Sequence, residues 1–376
     1  MKEIKTAIIH YWLVNMRGGE KVLEELCDMF PAADVFTHVY DPKKISDGIK
    51  SHRIQTTFIN KLPFAKKLYP FFLPLMPLAL KNLKLSEYKL IISSESGPAK
   101  GISPVKGAYH ICYCHTPMRY IWDLYHEYYN KANVIIRFFM RLFVMKLRIW
   151  DVQTAENVNC FIANSKFVAR RIQQYYGRDS IVVFPPVSIE KFINVPRAPE
   201  DYYLFFGQLT QYKRLDIAIE ACTIAKRKLI IVGSGKTAEN NKTDLIEYKG
   251  SLDDSEIIVL LAHAKALLFP GIEDFGIVPV EAMAAGCPVI AYRKGGALET
   301  VLENVTGMFF DEQSPESLAK AIVELELNYT QFCDREKYRN HVQKFSKKCF
   351  AEKIEKVIRE NMHTFDAEEI TSLNKV

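Results

Sequence analysis

The chain has 376 residues, of which 48% are hydrophobic and 25% are charged. Its length predicts two domains at roughly 150 residues per domain, and its composition excludes a disordered chain. The formal net charge is +6, from 50 basic and 44 acidic side chains. This small excess excludes a general nucleic-acid-binding protein, so no nucleic acid is expected among the partners.

The N-terminal segment MKEIKTAIIHYWLV has no small-residue cleavage site, so it predicts a buried first strand instead of a secretory signal. No apolar run reaches the 18 or so residues of a membrane-spanning helix. Eight cysteines lie mostly alone within apolar runs, which is typical of reduced thiols in a cytosolic protein. Cys112, Cys114 and His115 are closely spaced, but no second Cys/His pair follows at zinc spacing, and no metal site is expected. We expect a cytoplasmic protein, soluble or peripheral.

Short apolar runs that predict strands alternate with amphipathic runs that predict helices through most of the chain. The predicted strands are Thr6–His10, Asp34–Val39, Leu90–Ser93, Ala108–Cys114, Cys160–Ala163, Ser180–Phe184, Tyr202–Phe206, Leu229–Val232, Ile246–Tyr248, Ala266–Phe269 and Val289–Ala291. The predicted helices include Glu20–Met29, Lys166–Tyr176, Leu215–Ala225 and Val280–Ala285, and a helical segment from about Pro315 to Met362 precedes a polar tail. Because the strands are apolar on both faces and are separated by helices, the chain is predicted to be an α/β protein with doubly wound parallel sheets.

The alternation restarts after Pro185-Pro186 and a stretch to Asp201 that contains two further prolines. Consecutive prolines disfavour both helices and central strands, so the domain boundary is predicted here. The predicted domains are residues 1–190 and 198–345, and the C-terminal helix and tail, residues 346–376, are expected to pack back on the first domain. Ligands of such sheets bind at the carboxyl ends of the strands. The chemistry is therefore expected between the domains.

The segment from Phe269 to Ala291 combines a strand, a Pro-Gly turn, a loop with Glu273 and a helix with Glu281. Backbone N–H groups at the start of such a helix are unpaired and suit a phosphate or a sugar hydroxyl. The carboxylates of Glu273 and Glu281 can each accept hydrogen bonds from two hydroxyl groups of a ribose or hexose. The alternative is that Glu273 caps the helix and Glu281 lies on a solvated face. Because Glu281 stands within an otherwise apolar helix, the binding role is favoured.

A second strand-to-helix turn, from Phe205 to Asp216, carries Lys213 and Arg214. Paired cations at such a turn can neutralise a diphosphate. A solvated basic loop gives the same pattern. The sequence IVGSGK, at Ile231–Lys236, matches neither the P-loop nor the dinucleotide-binding fingerprint, so it predicts only a tight turn.

His115 ends a predicted strand of the first half, at the sheet edge where a cleft residue belongs. A histidine there can act in catalysis, although a lone histidine is commonly a packed or capping residue. Gly18 and Gly19 follow the first strand, where their backbone lets a ligand or the partner domain come close. The chain has no Asp-x-Asp triplet to hold a metal ion on a nucleotide diphosphate. Protein cations and helix N-termini are therefore expected to stabilise a departing diphosphate.

Residues 52–86 and 128–150 contain no acidic residue. The first stretch has six Lys or Arg residues among aromatic side chains, and the second has five among Ile, Phe, Met, Leu and Trp. Basic residues with such neighbours suit an anionic membrane surface. The alternative is a helix that covers the domain and carries a solvated basic stripe.

Five sequence blocks between Tyr203 and Phe310 resemble the family 4 retaining glycosyltransferases, which have the two-domain GT-B fold. In chain order the blocks are FGQL…K, IIVGSG, PGIEDFGIVPVEAMAAGCPVIA, GGALE and TGMFF. The blocks CHTPMRY and GGEKVLE in the first half are most similar to bacterial mannosyltransferases of O-antigen and exopolysaccharide assembly. The resemblance implies two Rossmann-like domains facing across a cleft, with the acceptor on residues 1–190 and the donor nucleotide on residues 198–345.

The resemblance also implies roles for individual residues. Glu281 is implied to hold the donor ribose, Glu273 the transferred sugar and Lys213 the donor diphosphate. The backbone amides of Phe275, Gly276 and Ile277 are implied to contact the diphosphate. Gly18 or Gly19 is implied to lie at the donor phosphate or the acceptor, and the side chain of His115 at the reacting sugar. The base is implied to bind near Tyr248. Catalysis is thus assigned to Glu273, His115 and Lys213.

One departure from the family concerns the residue after the Gly of the FG block. Many members have Arg there, and this chain has Gln208. Gln208 is uncharged, so Lys213 and Arg214 are expected to carry more of the diphosphate's stabilisation. Arg214 stands where many members have Gly, and the sequence alone does not decide whether it contacts the diphosphate.

The resemblance implies a metal-independent reaction with retention, in which the departing diphosphate helps to deprotonate the acceptor hydroxyl. We expect transfer of mannose from GDP-mannose, without a cofactor, to a lipid-linked saccharide of a cell-surface polysaccharide. The protein is then peripheral on the inner face of the cytoplasmic membrane. The alternatives are a UDP-sugar-dependent transferase of the same family, a sugar-nucleotide epimerase on the same fold, and a non-catalytic subunit that binds donor or glycan.

Overall fold

The structure is a computed structural model that describes residues 4–235 and 243–373, with side chains up to residue 362. The chain divides into two units. Unit 1 extends to Phe184 and resumes at Ala351, and unit 2 spans Pro185–Phe350. Each unit is built on its own parallel sheet.

Unit 1 contains a seven-stranded parallel sheet. Its strands are β1 (Thr6–His10), β2 (Asp34–Thr37), β3 (Ile54–Thr56), β4 (Leu90–Glu95), β5 (Tyr109–Cys114), β6 (Cys160–Ala163) and β7 (Ile181–Val182). Their order in the sheet is β3-β2-β1-β4-β5-β6-β7. In the central strands, Ile8 of β1 lies opposite Val35 of β2 and Ile92 of β4. All five residues of β1 are buried, as expected for a strand covered by helices on both faces.

The helices of unit 1 alternate with these strands. They are α1 (Gly18–Met29), α2 (Asp47–Lys50), α3 (Ala65–Leu68), α4 (Met76–Lys81), α5 (Tyr125–Lys131), α6 (Val134–Ala155) and α7 (Lys166–Tyr176). The first of them buries Val22, Leu23 and Leu26. Spacings of three and four residues place these side chains on one face of α1, which therefore packs on the sheet.

Polar contacts on its inner face fix α6 to the rest of unit 1. Asp151 accepts hydrogen bonds from Trp122 Nε1 at 2.8 Å and from Tyr176 Oη at 3.0 Å. It also forms an ion pair with Lys100, and both charged side chains are completely buried. Because a buried charge is costly without a partner, these contacts determine which face of α6 points inward.

Unit 2 contains a six-stranded parallel sheet. Its strands are β8 (Tyr202–Phe206), β9 (Lys228–Val232), β10 (Ile246–Gly250), β11 (Ala266–Phe269), β12 (Val289–Tyr292) and β13 (Gly307–Phe310). Their order is β10-β9-β8-β11-β12-β13. The middle strands β8 and β11 are paired, with Tyr203 opposite Ala266. The two sheets confirm the predicted α/β class with doubly wound parallel sheets.

The helices of unit 2 are α8 (Glu190–Ile193), α9 (Leu215–Ala225), α10 (Asp254–His263), α11 (Ile277–Ala284), α12 (Ala297–Thr300), α13 (Pro315–Leu327) and α14 (Arg335–Val342), and α15 (Lys347–Leu373) leads back to unit 1. Ala218 and Cys222 of α9 and Leu318 and Ile322 of α13 are buried in one core with the strand residues. Branched and aromatic side chains of β8, β9 and β11 complete this core. It holds the carboxyl ends of the central strands in place.

The structure differs from the sequence-based prediction mainly at short or polar strands. The strands β3 and β13 were not predicted, because Ile54–Thr56 has three residues, two of them polar, and β13 begins with a glycine. Three predicted strands are shorter, since β2 ends at Thr37, β5 begins at Tyr109 and β7 consists of Ile181–Val182 alone. Helix α11 begins three residues earlier than predicted, and α15 continues to Leu373 through part of the predicted polar tail.

Candidate active site

Lys213 and Glu273 form an ion pair at the carboxyl edge of the unit 2 sheet. Lys213 ends a short 3₁₀ turn after β8, and Glu273 lies in the loop after β11. Because β8 and β11 are neighbours in a parallel sheet, the loops that follow them start side by side. Lys213 Nζ lies 2.8 Å from Glu273 Oε1, and the two side chains are 11% and 19% exposed. The pair is therefore largely shielded from water.

Lys213 is charged despite its burial. Burial alone would lower the pKa of its ammonium group. The carboxylate of Glu273, with Tyr212 and Glu281 contributing, outweighs this effect and raises the pKa of Lys213 above its ordinary value. An anionic ligand at this edge would meet a fixed positive charge whose field is little screened by water.

Glu281 is a buried residue of α11, with only 7% of its surface exposed. Its charge contributes to the raised pKa of Lys213, so both carboxylates act on the same cation. The interpretations that placed Glu281 on a solvated face and Lys213 in a solvated loop are therefore wrong. The carboxylate of Glu273 is also largely buried, and it forms an ion pair with Lys213.

The start of α11 offers backbone donors beside this group. Gly276 precedes the helix with a φ of 93°, and Ile277 is the first helical residue. Among the residues that the structure describes, no protein group accepts a hydrogen bond from the N–H of Gly276 or Ile277. Pro279 has no N–H to offer. Two of the three predicted backbone donors are thus available to a ligand, and Phe275 is buried against Phe345 with ring centroids 5.5 Å apart.

Gly295 and Gly296 support the loop that carries Glu273, although the sequence did not single them out as site residues. The N–H of Gly296 donates to the carbonyl of Glu273 at 2.8 Å. A Cβ atom at Gly296 would lie 2.7 Å from Asp274 O and still closer to the backbone of Phe275. Only glycine allows this approach of two backbones. The GG pair of the GGALE block was the available signal, and its role is to position the loop.

Gln208 and Arg214 lie near Lys213 in the sequence, and both are more exposed than Lys213. Gln208 is exposed just after β8. The guanidinium of Arg214 is held by Asp216, with Nε–Oδ1 and Nη2–Oδ2 distances of 3.0 and 2.8 Å. Arg214 also has a φ of 55°, in the left-handed region that favours glycine, which explains why glycine suits this position.

Tyr248 lies on β10, the edge strand of the unit 2 sheet. Its side chain packs against the core, and burial raises the pKa of its hydroxyl. In the part of the chain that the structure describes, Tyr248 Oη is buried and has no hydrogen-bond partner.

In unit 1, His115 directly follows β5, and Gly18 and Gly19 begin α1. The backbone N–H of His115 donates to Glu95 O at 2.7 Å. Burial lowers the pKa of the His115 imidazole to about 3, so the ring is neutral at physiological pH. A Cβ atom at Gly19 would lie 3.6 Å from His115 Nε2. The structure thus brings Gly19 and His115 together, as it brings together Lys213, Glu273 and Glu281 in unit 2.

Two families match successive parts of the chain. The family described as Glycosyltransferase Family 4 matches residues 16–190, and the family described as Glycosyl transferases group 1 matches residues 186–348. Together the matches cover every strand of the two sheets except β1. The chain belongs to glycosyltransferase family 4.

Two relatives of this glycosyltransferase are named as mannosyltransferases. Human alpha-1,3/1,6-mannosyltransferase ALG2 is 28% identical over 225 residues, which are 49% of this chain and 54% of that protein. The GDP-mannose-dependent alpha-(1-6)-phosphatidylinositol monomannoside mannosyltransferase of Mycobacterium tuberculosis is 32% identical over 140 residues, which are 32% of this chain and 36% of that protein. The chain spans about half the length of the first curated relatives it matches.

Solved structures resemble this glycosyltransferase over nearly its whole length. Sucrose-phosphate synthase from Thermosynechococcus elongatus matches with a TM-score of 0.72 and 18% identity, over 96% of this chain and 100% of that chain. Anabaena HepE in complex with UDP matches with a TM-score of 0.70 and 17% identity, over 95% and 100% of the two chains. At such identities the likeness concerns the fold. The predicted GT-B fold of this glycosyltransferase is confirmed.

Proposed function

We propose that this glycosyltransferase transfers mannose from GDP-mannose with retention of the anomeric configuration and without a metal ion. The observation that carries the proposal is the shielded group of Lys213, Glu273 and Glu281 beside the available amides of Gly276 and Ile277. Two relatives are named as mannosyltransferases, and the name of one states GDP-mannose dependence. HepE, which has the same fold, is seen with UDP, and this supports a nucleotide-linked donor.

In the proposed reaction, the bond between the anomeric carbon and the diphosphate oxygen breaks. The acceptor hydroxyl oxygen bonds to that carbon on the same face, and the hydroxyl proton passes to the departing diphosphate, which leaves as GDP. Negative charge grows on the diphosphate as its bond to the sugar breaks. Lys213 and the amides of Gly276 and Ile277 stabilise this charge, and such contacts lower the barrier because they strengthen in the transition state.

The two carboxylates have separate roles in this proposal. Glu281, buried within α11, accepts hydrogen bonds from the hydroxyl groups of the donor ribose. Glu273 pairs with Lys213 at 2.8 Å. A bound diphosphate shares that cation, and the Glu273 carboxylate then accepts hydroxyl groups of the transferred sugar. In unit 1, His115 contacts the reacting sugar, and Gly18 or Gly19 leaves room for the donor phosphate or the acceptor.

We propose a lipid-linked saccharide as acceptor and an anionic membrane surface as partner, because α6 exposes an apolar stripe. The stripe consists of Ile135, Phe138, Leu142, Met145 and Ile149, which are 49–69% exposed and recur every three or four residues. It lies opposite the inner face that Asp151 fixes. The exposed cations Arg141 and Lys146 flank it. An apolar stripe with cations at its borders is suited to the interface of an anionic bilayer.

Unit 1 also exposes two aromatic side chains outside α6. Phe64 and Phe71 are 76% and 60% exposed, and they lie among the lysines of the acid-free stretch 52–86. Leu73, between them and α4, packs against the cluster that contains Val144 and Leu147 of α6. Of the helices in residues 4–235 and 243–373, none is both long and apolar enough to cross a bilayer. We infer attachment to the membrane surface at the inner face of the cytoplasmic membrane.

A thermal-shift panel of GDP-mannose, GDP-glucose, UDP-glucose, UDP-galactose and ADP-glucose tests the donor. At 100 times Kd, a true donor adds about 2.7 kcal/mol of stability, so GDP-mannose should raise the melting temperature most. A shift with UDP-sugars alone would show the UDP-dependent alternative to be correct. Release of free mannose from GDP-mannose in the absence of acceptor is expected, and its absence together with no thermal shift would leave the non-catalytic alternative.

A further inference from the structure

A series of buried, hydrogen-bonded side chains leads from His115 into the core of unit 1. Ser94 Oγ, at the end of β4, lies 2.8 Å from His115 Nε2 and 3.0 Å from Nδ1 of His10, the last residue of β1. Ser94 and His10 are completely buried. One serine hydroxyl therefore joins two imidazole rings across neighbouring strands.

The direction of these hydrogen bonds follows from the charge at the far end. Glu20 of α1 is 2% exposed, and its Oε1 lies 3.8 Å from Nε2 of His10. Its other oxygen, Oε2, accepts from the backbone N–H of Arg17 at 3.0 Å. In the residues that the structure describes, His10 Nε2 is buried and has no hydrogen-bond partner. A carboxylate at this distance favours a proton on Nε2 of His10, because an N–H dipole is attracted to the charge and a lone pair is repelled.

The tautomer of His10 then determines that of His115. With its proton on Nε2, His10 can only accept at Nδ1, so Ser94 donates its single proton to His10. The Ser94 oxygen is left as an acceptor, and His115 must donate to it from Nε2. A neutral imidazole that donates from Nε2 has a lone pair on Nδ1.

The environment of His115 supports a fixed, neutral ring. Burial lowers the pKa of His115 to about 3, so the ring carries one proton at neutral pH. Gly19 leaves space beside it, since a Cβ there would lie 3.6 Å from His115 Nε2 and closer still to Tyr11 Oη. His115 is mostly buried, and no described residue forms a hydrogen bond with its Nδ1.

We propose that Glu20, His10 and Ser94 are positioning residues that hold His115 in the Nε2–H tautomer, with Nδ1 as acceptor for a sugar hydroxyl during transfer. The sugar contact rests on the proposed function, whereas the tautomer depends on unit 1 alone. His115 accepts a hydrogen bond in this role and exchanges no proton with the sugar. The three positioning residues act through His115 and touch no substrate.

Nitrogen-15 NMR of protein labelled in the histidine rings tests the tautomer directly, with the His115 signals assigned through a His115→Asn variant. In the wild-type protein, Nε2 of His115 should have the chemical shift of a protonated nitrogen and Nδ1 that of an unprotonated one. In Ser94→Ala and in Glu20→Gln, both shifts should move toward the average of two tautomers. Glu20→Gln is the more decisive variant, because Glu20 does not contact His115. His10 and Ser94 lie between them in the series of contacts.

Ser93 provides a matched control on the opposite face of β4. It is equally buried, and its Oγ lies 2.9 Å from Nε2 of His110, a residue of β5. Ser93→Ala removes the same kind of hydrogen bond. The His115 chemical shifts and the turnover of this variant should equal those of wild type. Ser94→Ala and Glu20→Gln should lower kcat at least about tenfold with a less than threefold change in KM, as expected when an orienting residue is lost.

Two results would overturn the proposal. One is a proton on Nδ1 of His115 in the wild-type protein, and the other is an unchanged His115 tautomer in Glu20→Gln and Ser94→Ala. If the wild-type protein shows no transfer, the proposed function fails, while the nitrogen shifts still decide whether these residues fix the tautomer. A changed tautomer with wild-type kcat would remove the assigned role of Nδ1 in the reaction.

Discussion

The ammonium group of Lys213 lies 2.8 Å from the carboxylate of Glu273, although 60 residues separate them in the chain. The contact exists because β8 and β11 are paired in the sheet and both loops leave it at the same edge. Glu281 adds a second carboxylate that raises the pKa of the same lysine. Because two carboxylates lie near it, the shielded ammonium group remains charged. An incoming diphosphate can then share this cation with Glu273.

Lys213→Ala should lower turnover at least a hundredfold while the protein remains folded. The loss of one contact that stabilises developing charge costs about 2.7–4 kcal/mol of transition-state stabilisation. Lys228→Ala, which removes a half-exposed lysine of β9 paired with Glu247, is the matched control and should turn over as wild type. Initial rates of GDP-mannose consumption measure both variants. Near-normal turnover of Lys213→Ala would refute the assignment of Lys213.

Gly296→Ala should reduce turnover by more than about tenfold, because displacement of reacting groups by about an ångström is enough to do so. The added Cβ would overlap the backbone of Phe275 and lie 2.7 Å from Asp274 O, so the loop with Glu273 must move. Gly48→Ala is the control, since its Cβ would be at an ordinary 3.4 Å from Glu24 Oε1. Kinetics and thermal unfolding of both variants check the expectation. Equal, wild-type-like turnover would mean that Gly296 does not position the loop.

The Phe138→Glu substitution should weaken binding to anionic vesicles at least tenfold. Burial of one large apolar side chain contributes about 1.5–3 kcal/mol, and the new carboxylate is repelled by the lipid headgroups. Co-sedimentation with vesicles of phosphatidylglycerol and phosphatidylcholine measures the effect. Leu327→Glu, at an 80% exposed position of α13, serves as control and should bind as wild type. The interpretation of α6 as a membrane surface fails if wild-type protein sediments equally little with anionic and neutral vesicles.

The pH dependence of stability should change in His110→Gln. Burial lowers the pKa of His110 from 6.5 to about 4, so between these values the unfolded chain binds a proton that the folded chain does not. The associated stability is complete above pH 6.5 and is lost as the pH falls. Between pH 6 and 5, the unfolding free energy of the variant should fall less steeply than that of wild type, by about 1 kcal/mol per pH unit. Urea unfolding at several pH values measures the slopes, and parallel slopes would contradict the cause given for the shift.

The sequence predicted much of the fold and part of the site. Glu273 and Lys213 were identified because each follows an apolar strand and precedes a helix, and parallel strands end at a common edge. Short strands at or near the sheet edges, such as Ile54–Thr56, have too few apolar residues for a recognisable period. The order of strands within each sheet could not be read from the chain either.

That order explains why Ser94 and His10 were not identified. Both lie within or at the end of apolar strands, and their contact requires β1 and β4 to be neighbours. Gly296 was missed for a related reason, because its partner Phe275 belongs to a different loop. Arg214 illustrates the opposite case, since its unusual residue type was visible in the sequence while its ion pair with Asp216 was not.

A crystal structure with GDP-mannose bound tests the central claim most directly. The account predicts diphosphate oxygens within hydrogen-bonding distance of Lys213 Nζ and of the N–H groups of Gly276 and Ile277, with the ribose hydroxyls on Glu281. A diphosphate bound elsewhere, with Lys213 still paired to Glu273 alone, would contradict it.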